Sequence, residues 1–147
     1  MDPLEELLAR EAVKDVKARY CRFLDTKDWE GFGNLFTDDA VLDVKEDTGA
    51  DPFHGREALV DQVRAAVTHA KSTHHVHSPE IAFDGPDAAD VIWAMQDRVV
   101  WAEGKSPIPP VTAITGYGHY RERYVRRDGL WRIASLKLAR LNVEMQR

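Results

Sequence analysis

The sequence predicts an α+β domain in which helices lie against one face of a curved sheet, and three observations predict it. Apolar residues recur at helical spacing through the first half of the chain. Long stretches of strand character fill the second half. Gly85-Pro86 and Asp128-Gly129 mark hairpin turns between successive strands. At 147 residues, with no internal repeat or linker, the chain reads as a single domain spanning 1–147.

From Pro3 to about Thr26, Leu4, Leu7, Leu8, Val13, Val16, Tyr20, Phe23 and Leu24 follow helical spacing, and Pro3 suits a first helical turn. A shorter helix over Trp29 to Phe36 opens at Asp28 as N-cap and closes near Thr37-Asp38-Asp39, completing a helical hairpin. Ala40 to Val44 alternates like a short strand, and the polar Lys45 to Gly55 stretch reads as a loop. A further helix begins at Arg56, with Leu59, Val60, Val63, Ala66 and Val67 forming one stripe to set against the sheet. Strands follow over Ser72 to Phe83, Ala88 to Trp101, Thr112 to Arg126 and Leu130 to about Val143. The prolines of Gly104 to Pro110 keep that segment out of a central ladder and suggest a loop near a pocket mouth.

Composition narrows the function classes. The chain is 44% hydrophobic and 31% charged, as folded globular proteins are, and contains no extended apolar run, so no membrane partner is expected. The acidic, amphipathic start MDPLEELLAR lacks the features of a signal peptide, so a cytoplasmic location is expected. Net charge is −5, and basic residues concentrate only at Arg121, Arg123, Arg126 and Arg127, too little for a nucleic-acid footprint. A small molecule is the expected partner. Cys21, the single cysteine, reads as a small packing residue.

Strand alternation exposes the candidate chemistry, because residues two apart share a face. Asp97 is in phase with Val91, Trp93, Met95, Val99 and Trp101, so a carboxylate projects from an apolar face. It is either bonded to an arginine or tyrosine, turned out by a bulge, or functional. His74 is in phase with Val76, whereas His75 and His77 share the opposite face with Thr73. His74 is thus the candidate for a cavity, needing a partner, and the alternative is a hydrogen-bonded core histidine. His75 and His77 could chelate zinc as an i, i+2 pair, but a third ligand motif is missing, so no metal is expected. Asp28 has a use as a cap and Asp25 has less structural excuse. Tyr20 shares the Leu24 stripe and reads as a core anchor or a proton donor to a substrate oxygen. Gly116 and Gly118, in phase with Tyr120, leave a strand face bare for a bend or a ligand. Val100, Tyr117 and His119 have exterior parity.

Several short motifs occur in one order: Arg19-Tyr20-Cys21-Arg22-Phe23-Leu24-Asp25, Leu35-Phe36-Thr37-Asp38-Asp39-Ala40, His54-Gly55-Arg56-Glu57-Ala58, the His74 to Ile81 run, Gly118-His119-Tyr120 and Gly129-Leu130-Trp131-Arg132-Ile133. Together they resemble the SnoaL-like family, of the nuclear-transport-factor-2-like superfamily, over nearly the whole chain. The resemblance implies an α+β barrel-like cone, a strongly curved mixed sheet wrapped by three helices with a cavity at one end. In the bile-acid 7α-dehydratase and hexachlorocyclohexane dehydrochlorinase branches, a strand histidine removes a proton and an aspartate after the first helix orients it. The matching positions are His74 and Asp25, with Tyr20 and Asp97 matching further site positions. The second tyrosine and second histidine of scytalone dehydratase have no match.

The implied function is a cofactor-independent lyase or isomerase, acting by proton abstraction on a hydrophobic cyclic small molecule. The expected pocket lining is Trp93, Met95, Val76, Phe36, Gly118 and Tyr120. Alternatives are a non-catalytic binding or assembly module, like the small subunits of aromatic-ring dioxygenases, and a polyketide-cyclase-like or hydrolase activity in the same cavity. The family habit of pairing sheets implies a homodimer or homotrimer.

Overall fold

The computed structural model describes residues 1–147. Helix α1 (Pro3–Thr26) starts at Asp2, whose side chain accepts from the Glu5 N–H while the Glu5 side chain accepts from the Asp2 N–H. This reciprocal cap and Pro3 in the first turn define its start. Lys27 ends it in the left-handed region (φ 60°), and its ammonium donates to the Ala70 carbonyl at 2.6 Å. The end of α1 is thereby tied to the first residue of the strand that carries His74. Ala9, Val13, Val16, Lys17, Tyr20 and Leu24 are buried. Leu4, Leu7 and Leu8 stay 60–65% exposed, so the covered stripe starts later than its periodicity suggests.

Asp28 caps α2 (Trp29–Gly33) as expected, accepting the Gly31 N–H. The helix ends before Phe36, however, because Phe36–Asp43 is strand β1, and Thr37-Asp38-Asp39 belong to it. The register of β1 shifts between Phe36 and Val41 and leaves the two aspartates exposed, which masks strand alternation in the sequence. The 45–55 segment holds a one-turn helix α3 (Lys45–Thr48) and a two-residue strand β2 (Phe53–His54), where only a loop is expected. Helix α4 (Arg56–Val67) buries Leu59 and Val67. There are thus four helices where three were expected.

Strands β3 (Ala70–Phe83), β4 (Ala88–Trp101), β5 (Ala113–Arg127) and β6 (Leu130–Gln146) match the sequence reading closely. The six-stranded sheet has the order β2-β1-β6-β5-β4-β3. It is mixed, because β1 runs parallel to β6 and every other pair is antiparallel. The sheet is curved and unclosed, with β2 and β3 at its edges. Between Arg123/Tyr124 and Tyr117/Gly118 the β5–β6 register shifts, leaving Ala134 and Leu141 as extra residues on β6. Such bulges bend a strand and reverse its inward parity. No helix is long and apolar enough to cross a membrane.

The inner face of β3–β6 meets α1. Within that core lies an ion pair, Lys17 Nζ to Glu122 Oε2 at 2.6 Å, with both side chains 0% exposed. Burial lowers the Lys17 pKa, and Glu122 opposes the shift. The Tyr124 hydroxyl donates to Glu122 Oε1 at 2.7 Å. Tyr20, Tyr120 and Tyr124 all have pKa values raised well above the ordinary phenol, first by burial; the charge of Glu122 adds to it in each case.

Alkaline stability should follow. A raised folded-state pKa contributes stability that is complete below about pH 10 and is lost above it, because the unfolded phenols have ionised while the folded ones have not. Lys17 gives the opposite slope only up to its ordinary pKa of 10.5. Beyond that, each phenol should remove about 1.4 kcal/mol per pH unit. Urea unfolding followed by circular dichroism from about pH 9 to about pH 12 should show the fall; a flat profile would place these hydroxyls in water.

Burial also pushes the Cys21 thiol up to about 11. Iodoacetamide at about pH 8 should therefore leave native protein unlabelled while labelling the urea-unfolded chain. Equal labelling in both states would mean that the thiol is not shielded.

Candidate active site

The tie between Lys27 and Ala70 brings the last turn of α1 against the start of β3, and Asp25 meets His74 there. Asp25 Oδ1 lies 2.7 Å from His74 Nδ1, and Oδ2 accepts the His74 backbone N–H at 2.8 Å. The Ser72 hydroxyl donates to Oδ1 at 2.9 Å. Because a carboxylate only accepts, Nδ1 carries the ring proton, and Nε2 of the neutral imidazole keeps the lone pair. The His74 side chain is 8% exposed and that of Asp25 20%.

Asp97 stands directly opposite His74 across the β3–β4 ladder, with Oδ2 3.9 Å from Nε2. Its carboxylate is held by the Arg140 guanidinium through two bonds, Nη1 to Oδ1 at 2.8 Å and Nη2 to Oδ2 at 3.0 Å. The same guanidinium donates to both oxygens of Asp47 on α3, at 2.9 and 3.0 Å. Although burial pulls the Arg140 pKa down, its bonds to Asp97 and Asp47 raise it above the ordinary value. Asp97 is therefore an arginine-bound acceptor, one of the alternatives open from sequence, and this leaves it unsuited to donate a proton. Gly116 faces the Asp97–Arg140 pair, where a Cβ would collide with the guanidinium. At Gly118 a Cβ would meet the Ala139 carbonyl, so these bare positions make room for β6.

The remaining expected residues lie on the same inner face. Met95 pairs with Val76 and Gly118 in register, and Trp93 pairs with Tyr120. Tyr20 packs edge-on to Tyr120 (ring centroids 5.8 Å apart) and to Phe36 (6.1 Å). Phe36 is 0% exposed and supports Tyr20 from behind. Trp93 Nε1 is buried without a hydrogen-bond partner. His75 and His77 are exposed on the outer face, and no group of three metal-ligating side chains surrounds them.

Arg140, Lys17 and Glu122 were not singled out from sequence. Counting inward parity from Trp131 and Ile133 puts Arg140 outside, and the extra residue Ala134 turns it in. Glu122 was legible, being in phase with Tyr120 and Tyr124, as was Lys17 between Val16 and Tyr20. Two surface depressions lie away from the His74–Asp25 pair. One of about 470 Å³ surrounds Asp90, Arg121 and Arg123, and one of about 490 Å³ surrounds Asp38 and Arg56. Neither is lined by His74 or Asp25, and the candidate site is marked by its converging polar side chains.

The sequence pattern of the SnoaL-like domain matches residues 5–137. A Gibberella zeae protein named a probable cyclase, FGR4, is 27% identical over 141 residues, covering 90% of this chain and 91% of that protein. The structure of hexachlorocyclohexane dehydrochlorinase LinA-type3 from Novosphingobium barchaimii LL02 has a TM-score of 0.81 at 21% identity, covering 97% of this chain and 93% of that one. A Novosphingobium aromaticivorans protein provisionally named a scytalone dehydratase gives 0.84 at 19% identity, covering 97% and 91%. At these identities the structural likeness is one of fold.

Proposed function

The chain belongs to the SnoaL-like family, and from that premise we propose that it is a lyase or isomerase whose base is His74, oriented by Asp25. The observation that carries this reading is the 2.7 Å contact between Asp25 Oδ1 and His74 Nδ1, which leaves Nε2 as the basic nitrogen. Nε2 takes a proton from a carbon beside a carbonyl or other activating group. The C–H electron pair forms a new double bond as a bond to a leaving oxygen or halide breaks, and the imidazolium proton can follow the leaving oxygen to make water. Asp25 stabilises the imidazolium on one side and Asp97 on the other, while the Tyr20 hydroxyl donates to a substrate oxygen. None of these steps calls on a cofactor.

The apolar inner face built by Val76, Trp93 and Met95 supports a hydrophobic, cyclic substrate such as a steroid, terpenoid, polyketide or aromatic catabolite. The same abstraction could end in a double-bond shift or in ring closure, and the name of the Gibberella zeae relative keeps cyclisation in view. Purified protein should be assayed against hydroxylated and halogenated members of these classes, with mass spectrometry following loss of water or halide and solvent-deuterium uptake. Loss of water or halide identifies elimination, uptake without loss identifies isomerisation, and a product of equal mass with a new ring identifies cyclisation. Turnover without any C–H exchange or cleavage would sink proton abstraction.

A further inference from the structure

The buried Lys17 has no part in the mechanism just described, yet it touches the residue that does. Its ammonium sits 3.6 Å from the Tyr20 ring centroid and 3.7 Å from that of Tyr120, between the two aromatic faces. Glu122 fixes it at 2.6 Å, and Tyr124 fixes Glu122 in turn. A buried ion pair can often be replaced by apolar residues of similar volume without loss of stability. Stability alone is therefore a poor account of this one.

The two phenols it holds are free to act. The two residues are 4% and 3% exposed, and their rings pack edge-on with centroids 5.8 Å apart. The sealed, orphaned polar atoms of the core are Thr37 Oγ1 and Trp93 Nε1, and neither tyrosine oxygen is among them. No carboxylate or carbonyl of the chain accepts from either hydroxyl, so neither proton is committed to a charged or backbone acceptor. Both lie within the electrostatic reach of Asp97, the carboxylate 3.9 Å from His74 Nε2.

We propose that Lys17 is a positioning residue of the candidate active site, which presents the Tyr20 and Tyr120 hydroxyls as a donor pair for an oxygen that gains negative charge. That oxygen is the enolate left by proton abstraction or the alkoxide of a leaving group. The ammonium fixes the angle of both rings, and by withdrawing electron density from their faces it strengthens each O–H as a donor. The inference rests on the proton-abstraction reading for its chemical purpose, but its test does not depend on turnover.

The probe is 2-naphthol, whose emission distinguishes the neutral from the ionised form and whose naphtholate imitates an enolate oxygen. Wild type should bind it and favour the ionised form. In Lys17→Met with Glu122→Gln, where the glutamine retains an oxygen for the Tyr124 hydroxyl, naphtholate affinity should fall about 10-fold, the scale of one desolvated cation–π contact. The same change in a Tyr20→Phe, Tyr120→Phe background should cost nothing further, because the phenols through which Lys17 acts are gone. Thermal melting identifies folded variants, and a folded Lys17→Met, Glu122→Gln protein with unchanged affinity overturns the proposal. Should that variant not fold, wild type labelled with carbon-13 at the tyrosine ζ position decides it. Both resonances must shift with naphthol, and a silent pair, or no binding by wild type, overturns it. Failure here leaves His74 as a base untouched, and failure of His74 as a base leaves naphthol binding unaffected.

Discussion

Replacing His74 by alanine should lower turnover of any accepted substrate by about 10²- to 10⁴-fold, the range expected when a positioned base is lost. The fold should survive, because the side chain's one strong contact is with Asp25, which keeps its bonds from Ser72 Oγ and the residue-74 backbone N–H. Asp25→Asn should cost about 10²-fold or more by a different route. Asparagine can still accept the two N–H bonds in part, but it offers no charge to the imidazolium, so kcat falls while KM changes little. Steady-state kinetics on both variants, after circular dichroism confirms their folding, provides the check. Full activity in His74→Ala would remove His74 as the base and with it the mechanism proposed. Full activity in Asp25→Asn alone would reduce Asp25 to a strap between α1 and β3.

Lys17→Met by itself should destabilise the protein by about 3–5 kcal/mol, because it leaves the fully buried Glu122 carboxylate with only the Tyr124 hydroxyl. Against a typical domain stability of about 5–15 kcal/mol that is a large share. Adding Glu122→Gln should recover most of the loss, since the uncompensated charge is removed while an acceptor for Tyr124 remains. Urea unfolding of the single and double variants measures the difference directly. A loss below about 1 kcal/mol in the single variant would mean that water or a proton reaches Glu122 easily, contrary to its 0% exposure.

The site was partly legible before any tertiary contact was known. Alternation alone placed His74 and Asp97 on an inward face, and they are direct neighbours across the β3–β4 ladder. Asp28 was recognisable as a cap, which left Asp25 in search of another role. The edges of the reading failed where chain geometry departs from regular periods. Thr37-Asp38-Asp39 looked like the end of a helix because an irregular stretch of β1 exposes its acids. Leu4, Leu7 and Leu8 continue a helical stripe over a part of α1 that the core does not cover.

The sequence by itself determined the order of the two longer helices and the four long strands, the inward parity of β3, β4 and β5, and a histidine and two aspartates as the chemistry to follow. Those features depend on residues within a few positions of one another, through helical and strand periods. Tertiary structure decided which charge meets which. Asp25 finds His74 across 49 residues of chain, Arg140 finds Asp97 across 43, and Lys17 finds Glu122 across 105. A charge at an inward position announces that it needs a counterpart, but nothing local names one. The extra residue Ala134 settles it for β6, because it reverses the face its neighbours present and so turns Arg140 in toward Asp97.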